Sequence, residues 1–289
     1  MNTALKLAAI ALALLIPGET LAHGHDRFAK VEIVAQELKP GIYMLTGSGG
    51  NIGVSAGEDG VLIIDDQFAP LAEKIQAALN KLAPNKKIAK PKFIINTHYH
   101  GDHVGGNTHF GQDGTIMAHD NVYRRLSTDG KTSAAALPVV TWDEGINLYF
   151  NDDKLRVMHM GTGHTDGDSV VYWDSGNVVH MGDLFFNGMF PYVDLNAGGS
   201  VQSYLDSVNQ VIASVDENTQ IIPGHGPLAS KADLKAFADM IAASIEWADT
   251  QKAAGKTLEQ MKAEGMPAEF ERWNWRFITE EKWIDTLYQ

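Results

Sequence analysis

Thr97-His98-Tyr99-His100-Gly101-Asp102-His103 places three histidines and an aspartate within six residues, directly after the apolar run Phe93-Ile94-Ile95. Neutral imidazole and carboxylate are the usual ligands of a catalytic zinc ion. On an extended strand end, residues i and i+2 point the same way, so His98 and His100 can grip one ion. Asp102 and His103 lie past the Gly101 turn and can reach a second ion nearby. Such a cluster at the C-terminal end of a strand reads as a dinuclear metallohydrolase site. The alternative is a polar loop of solvated histidines, and three later segments weigh against it.

Gly161-Thr162-Gly163-His164-Thr165-Asp166-Gly167-Asp168 puts His164 in a glycine-rich loop between two apolar runs. Glycine permits the tight backbone that turns an imidazole inward. His180-Met181-Gly182-Asp183 ends another apolar run, and Pro223-Gly224-His225-Gly226 follows a third. Each candidate follows an apolar stretch and is flanked by glycine. One alone is weak; together they point to metal chemistry.

The elements that must position these residues are legible from periodicity. Lys30 to Leu38 partly alternates and suggests a strand, as does Gly41 to Leu45. Asn51-Ile52-Gly53-Val54 and Val61-Leu62-Ile63-Ile64-Asp65 read as a hairpin around Gly57-Glu58-Asp59-Gly60. Pro70 to Leu82 has helical spacing and stops at Pro84-Asn85, and Lys92 to Asn96 is a buried-type strand. In the second half, Leu155 to Met160 reads as a strand. Ser169 to Trp173 and Val178 to Met181 form a hairpin around Asp174-Ser175-Gly176-Asn177. Ser200 caps a helix to about Ser214, Gln220-Ile221-Ile222 is a short strand, and Ser230 opens a long helix through about Ala253. The tail from Thr257 is helical, and Gly111 to Trp142 has weaker periodicity. The order strands, helix, strand, metal loop occurs twice. It implies an α/β fold of two sheets between helices, with the ligands on loops at one sheet edge.

The HxHxDH run, the GHT-type loop, the strand ending in Asp183 and the GHG-type loop occur in the order found in the metallo-β-lactamase fold superfamily, which this chain resembles. The resemblance covers most of the chain after the N-terminal segment. It implies a four-layer αβ/βα sandwich. It implies a first zinc held by His98, His100 and His164, and a second held by Asp102, His103 and His225. Asp183 falls where members carry a Cys or a bridging Asp, and it resembles the bridging form of glyoxalase-II-like members. The implied reaction is attack on a carbonyl by a metal-activated hydroxide. Asp102 is the candidate catalytic residue, orienting the attacking group and relaying its proton. Iron or manganese are alternatives to zinc. Asp65, Asp66 and Thr97 are candidates for holding the histidines.

Composition narrows the class. There is no Cys, so neither disulfides nor thiolate ligands enter. With 23 Lys+Arg against 36 Asp+Glu the formal charge is −13, which argues against nucleic-acid binding. Lys6, the apolar run Leu7 to Ile16, Pro17-Gly18 and Thr20-Leu21-Ala22 read as a secretory signal spanning residues 1–22. The run is about half of the ~20 residues a membrane span needs. The expectation is a single domain over residues 23–289, periplasmic or secreted, with no membrane contact once the signal is cleaved. Its partner is a small-molecule substrate.

Export and the Gly163-His164-Thr165-Asp166 loop favour β-lactam hydrolysis. The stretch from Asp183 to Leu228 holds no Lys or Arg to anchor a lactam carboxylate, which leaves Arg124-Arg125 as an alternative anchor. A thioester, lactone or ester hydrolase of the same fold is the second expectation, with Arg272, Arg276 and Lys282 as basic residues for an anionic substrate. A periplasmic zinc-binding protein is the third, with His23 and His25 as terminal metal captors. His109 and His119 read as ordinary loop or core residues, His159 and His180 as packed strand residues. Asp168 reads either as orienting the His164 loop or as a solvated charge. Trp273, Trp275 and Trp283 read as core packing. The stretch Phe185, Phe186, Met189, Phe190 and Tyr192 fits either an apolar substrate pocket or the core.

Overall fold

The computed structural model describes residues 27–83 and 89–289. The expected signal, together with His23 and His25, lies outside the described residues, as does Pro84-Asn85. Among the described residues no helix is long and apolar enough to cross a membrane.

The first sheet has seven strands in sequence order. β1 (Val34–Lys39), β2 (Ile42–Thr46), β3 (Ile52–Gly57) and β4 (Gly60–Ile64) run antiparallel. Helix α1 (Ala72–Leu82) then carries the chain back, so that β5 (Pro91–Asn96) pairs parallel with β4. A parallel neighbour requires such a crossover. Two single-turn helices follow, α2 (Gly101–Val104) and α3 (Asn107–Phe110). Next come β6 (Thr115–His119), α4 (Asp120–Thr128) and β7 (Val140–Trp142), with β6 and β7 extending the parallel half.

The second sheet has the order β12-β11-β10-β9-β8. β8 (Gly145–Phe150), β9 (Asp153–His159), β10 (Ser169–Trp173) and β11 (Val178–His180) are antiparallel. α5 (Val201–Ser214) then crosses over to β12 (Gln220–Ile222), which lies parallel to β11. α6 (Lys231–Ala253), α7 (Leu258–Glu264) and α8 (Glu280–Tyr288) complete the chain. Ser200, Ser230, Thr257 and Thr279 accept the exposed N–H groups at the four helix starts.

Strand alternation makes the layers. Leu62, Ile64 and Ile95 of the first sheet meet Val157, Val171, Trp173 and Ile222 of the second in one inter-sheet core. Their neighbours Ile63 and Ile94 face the other way, onto Leu71, Ile75 and Leu79 of the α1 region. Val170, Tyr172, Val179 and Ile221 likewise face outward, onto Tyr204, Val208, Phe237 and Trp283. Period-two burial on both sheets leaves two apolar outer faces, and one layer of helices covers each. The expected four-layer αβ/βα sandwich is what forms.

The weakly periodic segment from Gly111 to Trp142 contains β6, α4 and β7. β6 is almost wholly buried on both faces, so no alternation marks it. β4 and β5 end at the same edge because they are parallel, and so do β11 and β12. The β9–β10 loop opens at that edge too, since β10 is antiparallel to β11. All four candidate loops therefore converge there.

Candidate metal centre

The Thr97–His103 segment leaves β5 and turns into α2, so His98 and His100 precede the helix while Asp102 and His103 sit in its first turn. His164 lies in the β9–β10 loop, Asp183 in a 3-10 turn after β11, and His225 just after β12. One ligand atom from each of His98, His100, His164 and Asp183 lies within 4.8 Å of the others. Asp102, His103 and His225 form a second group on the same criterion. All seven residues singled out from the sequence are brought together.

Asp183 stands between the groups. Its Oδ2 lies 3.7 Å from His98 Nε2 and 3.4 Å from His164 Nε2. Its Oδ1 lies 3.1 Å from His103 Nε2 and 3.3 Å from His225 Nε2. Asp102 Oδ2 lies 3.4 Å from His225 Nε2. Burial disfavours the Asp183 carboxylate, but the histidines around it, His103 first, outweigh that and hold its pKa well below the usual range.

The outward nitrogens fix the tautomers. His164 Nδ1 is 2.7 Å from the Tyr192 carbonyl, which can only accept, so Nδ1 carries the proton and Nε2 presents a lone pair. His100 Nε2 faces Asp194 Oδ2 at 3.0 Å, and His103 Nδ1 faces Asp65 Oδ2 at 2.7 Å. Thr97 Oγ1 donates to Asp65 Oδ2 at 2.8 Å, which leaves it to accept from His98 Nδ1 at 3.0 Å. Lone pairs then point inward: His100 Nδ1 faces His164 Nε2 at 2.7 Å. His98 Nε2 and Asp183 Oδ1 are buried without a hydrogen-bond partner. Converging lone pairs and orphaned buried acceptors are stable around a cation and repulsive without one. The donor set fits a metal site of N and O ligands. Burial keeps the two central histidines neutral, as metal binding requires: it pushes His98 well below its ordinary pKa and His164 down to about 3.

Of the expected supporting residues, Asp65 and Thr97 hold histidines directly. The Asp66 side chain bonds none of the rings: its Oδ1 accepts the Gly106 N–H at 2.8 Å, and only its backbone N–H reaches the His103 carbonyl, at 2.9 Å. Asp194 and the Tyr192 carbonyl carried no sequence signal, because neither belongs to a motif. Asp168 proves to orient the His164 loop, accepting from Thr165 N (2.8 Å) and Oγ1 (2.6 Å), and burial raises its pKa to about 8. His180 bonds the Asn51 carbonyl at 3.0 Å, His159 the Asp168 carbonyl at 2.7 Å, and His119 caps α4. Of the two guanidiniums that stood as an alternative substrate anchor, Arg125 is bidentate on Asp166 (2.8 and 2.7 Å) and Arg124 donates to Asn121 Oδ1. Trp273 and Trp283 are core residues, as expected. Trp275 is not: its ring stands 6.2 Å from that of His225. Phe185, Phe186 and Phe190 are all buried in the core, and Phe186 also stacks on His225.

The glycines flanking the ligands act by close approach. A Cβ at Gly224 would fall on Asp183 Oδ1 and within 2.6 Å of the Gly182 carbonyl, which is backbone and cannot yield. Gly224→Ala should therefore displace the Asp183 carboxylate. A chelator-competition titration should show metal affinity reduced by at least about tenfold, the low end for disturbing a ligand's support.

The family described as the metallo-beta-lactamase superfamily matches residues 45–225. The chain is 28% identical to the probable metallo-hydrolase YqgX of Bacillus subtilis, over 57% of this chain and 83% of that one. It is 24% identical to a metallo-beta-lactamase type 2 of Bacillus sp. (strain 170), over 63% and 68% of the two chains. Among solved structures, a metallo-beta-lactamase from Pontibacter korlensis superposes with a TM-score of 0.63 at 17% identity, covering 73% of this chain and 99% of that one.

Proposed function

The chain belongs to the metallo-beta-lactamase superfamily of metal-dependent hydrolases, and from that footing we propose a dinuclear zinc enzyme that opens a carbonyl-centred bond, with β-lactam amides as the leading substrate. The carrying observation is Asp183, which presents one carboxylate oxygen to each of the two donor groups. His98, His100 and His164 would hold the first ion, Asp102, His103 and His225 the second, and Asp183 would bridge them. Two divalent ions bound there would supply a nucleophile at neutral pH and polarise the carbonyl.

The chain's own residues do the rest. Asp65, Thr97, Asp194 and the Tyr192 carbonyl lock four imidazoles in the ligating tautomer. Asp102 lies at the open side, where it can orient the attacking water and take its proton. The expected export of the chain belongs to this reading, since β-lactams meet their targets in the periplasm. A specific observation favours a second substrate class. Arg125 is committed to Asp166 and no Lys or Arg occurs between Asp183 and Leu228, so an uncharged ester, thioester or lactone suits the site as well.

The deciding experiment is turnover of a chromogenic cephalosporin beside a thioester and a lactone, each with and without chelator. Fast, chelator-sensitive lactam opening supports the first class, and fast turnover of the others alone moves the chain to the second. Tight zinc binding with no turnover of any would leave a metal-binding protein.

Loading should also release a proton. Burial works against the His103 imidazolium, but Asp183, Asp65 and Asp102 outweigh it and hold its pKa well above 6.5. This raised pKa stabilises the metal-free fold fully below pH 6.5, and the contribution is lost as pH rises through the raised value. A ligating His103 must be neutral. Zinc calorimetry near neutral pH in two buffers of different ionisation heat should report at least one proton released. Apparent affinity should fall about tenfold for each unit by which pH is lowered, for each proton displaced. Equal heats in both buffers would remove the assignment.

A further inference from the structure

The clustered donors have one open side. His98, His103 and His164 are buried, whereas the side chains of His100, Asp102 and His225 are 18%, 26% and 17% exposed. A substrate must reach the centre past these three.

An unbroken series of rings borders that side. Phe186 stacks on His225 with centroids 5.0 Å apart and planes 14° apart. Trp275 lies 5.8 Å from Phe186, Phe277 5.5 Å from Trp275, and Tyr192 5.3 Å from Phe277. Tyr192 closes the arc back onto the centre, 5.6 Å from His100 and 5.5 Å from His164. Phe277 is 48% exposed, and Trp275 and Tyr192 are half-buried.

Tyr192 and Trp275 pack against the core yet stay half-buried, and Phe277 belongs to no core cluster. The core of this region is filled by Phe185, Phe190, Trp273 and Trp283, all of them buried. The exposed rings are nevertheless held in place. Trp275 Nε1 donates to the Phe190 carbonyl at 2.9 Å, and Phe190 N donates to the Trp273 carbonyl at 2.8 Å. Lys282 Nζ, the cation over the Phe277 ring, donates to the Phe277 carbonyl at 2.8 Å. Pre-positioned rings lose little freedom when a ligand covers them. Trp275 and Phe277 also lie beyond residues 45–225, the span shared with the superfamily, so two of the three rings come from a segment outside that span, while Tyr192 lies within it.

Resting on the hydrolase reading above, we propose that Tyr192, Trp275 and Phe277 form a recognition wall that selects carbonyl substrates bearing a flat aromatic group beside the scissile bond. Aromatic rings in offset or edge contact add specificity beyond area burial; Tyr192 stands 5.6 Å from His100 and Trp275 6.2 Å from His225, and Phe277 joins the two.

The test uses a matched pair of esters, phenylacetyl and acetyl on one leaving group, with the metal-loaded protein. Calorimetry of phenylacetate and acetate binding runs beside it. Wild type should prefer the phenylacetyl ester in kcat/KM and bind phenylacetate more tightly than acetate. Phe277→Ala and Trp275→Leu should each cut both preferences by about three- to tenfold, through KM rather than kcat. Phe277 is an exposed ring, so its variant tests the wall even if Trp275→Leu fails to fold. Turnover without preference overturns the wall and leaves the hydrolase reading intact. Absent turnover, with a phenylacetate preference that Phe277→Ala removes, keeps the wall and overturns the ester class instead. No binding preference in wild type overturns the wall whatever the turnover.

Discussion

Asp183→Asn should lower turnover by more than about a hundredfold and lower the metal content that survives dialysis by at least one ion relative to wild type. Partners one step outside a metal site already cost ~10–100-fold when removed, so a residue that faces both donor groups sets that range as its floor. The asparagine side chain has nearly the same shape, so the fold has no steric reason to change. What changes is charge and hydrogen-bonding sense. Asp183 and Asp102 are the only carboxylates in the two donor groups, the remaining five members being histidines. Converting one to an amide halves the anionic charge available to neutralise the ions. It also turns an N–H pair toward ring nitrogens that ligation needs as lone pairs, His98 and His164 on one side or His103 and His225 on the other. Those hydrogen bonds would satisfy the inward lone pairs and compete with metal for them. Elemental analysis and circular dichroism of the purified variant check the two halves of this expectation. Full metal content with wild-type turnover would show that Asp183 does not bridge.

How much of this was legible in the chain depends on whether a residue's role is local. His98, His100, Asp102 and His103 could be read because their spacing on one strand end and one helical turn already orients them. His164, Asp183 and His225 could be read because glycine brackets them, and the close approach at Gly224 shows what the glycine is for. The sandwich followed from strands whose alternate residues, such as Leu62 against Ile63, need two different partners. Asp194 had no such signal. It reaches His100 and Tyr99 from a loop nearly a hundred residues away, at 3.0 and 2.7 Å. The Tyr192 carbonyl has none in principle, because a backbone acceptor leaves no mark on residue type.

The C-terminal tryptophans divide for the same reason. Trp273 and Trp283 face inward and Trp275 faces the metal centre; Trp283 sits on the buried face of α8, but in the irregular stretch that holds Trp275 no periodicity says which way the ring goes. β6, α4 and β7 were illegible because β6 is buried on both faces and α4 is short and polar. Arg125 could be seen as a cation but not as one already paired, since Asp166 meets it only in the folded chain.

Asp65 should be the most consequential position outside the seven donors, and two substitutions separate its structural from its metal-binding role. The residue is fully buried and adopts a left-handed φ of 64°, a conformation that asparagine tolerates and alanine resists. Its carboxylate accepts from Thr97 N at 2.7 Å, Thr97 Oγ1 at 2.8 Å and His103 Nδ1 at 2.7 Å. Asp65→Ala leaves three buried donors without an acceptor, one of them on a residue whose charge the site favours. Each orphaned donor costs ~1–3 kcal/mol, and breaking a buried ion pair by removing one partner costs ~3–5 kcal/mol, so the metal-free protein should lose about 4 kcal/mol in denaturant unfolding. Asp65→Asn keeps the shape and the bond from Thr97 N through its carbonyl oxygen, and should unfold much closer to wild type. Its amide nitrogen, however, faces His103 Nδ1 as a donor. His103 would then accept there and carry its proton on Nε2, the nitrogen that looks at Asp183 and His225. That is the tautomer a metal cannot use, so zinc affinity should fall by ~10–100-fold with most of the fold retained. A chelator-competition titration of Asp65→Asn reads this directly. Wild-type affinity in that variant would mean that the Asp65–His103 bond serves the fold alone.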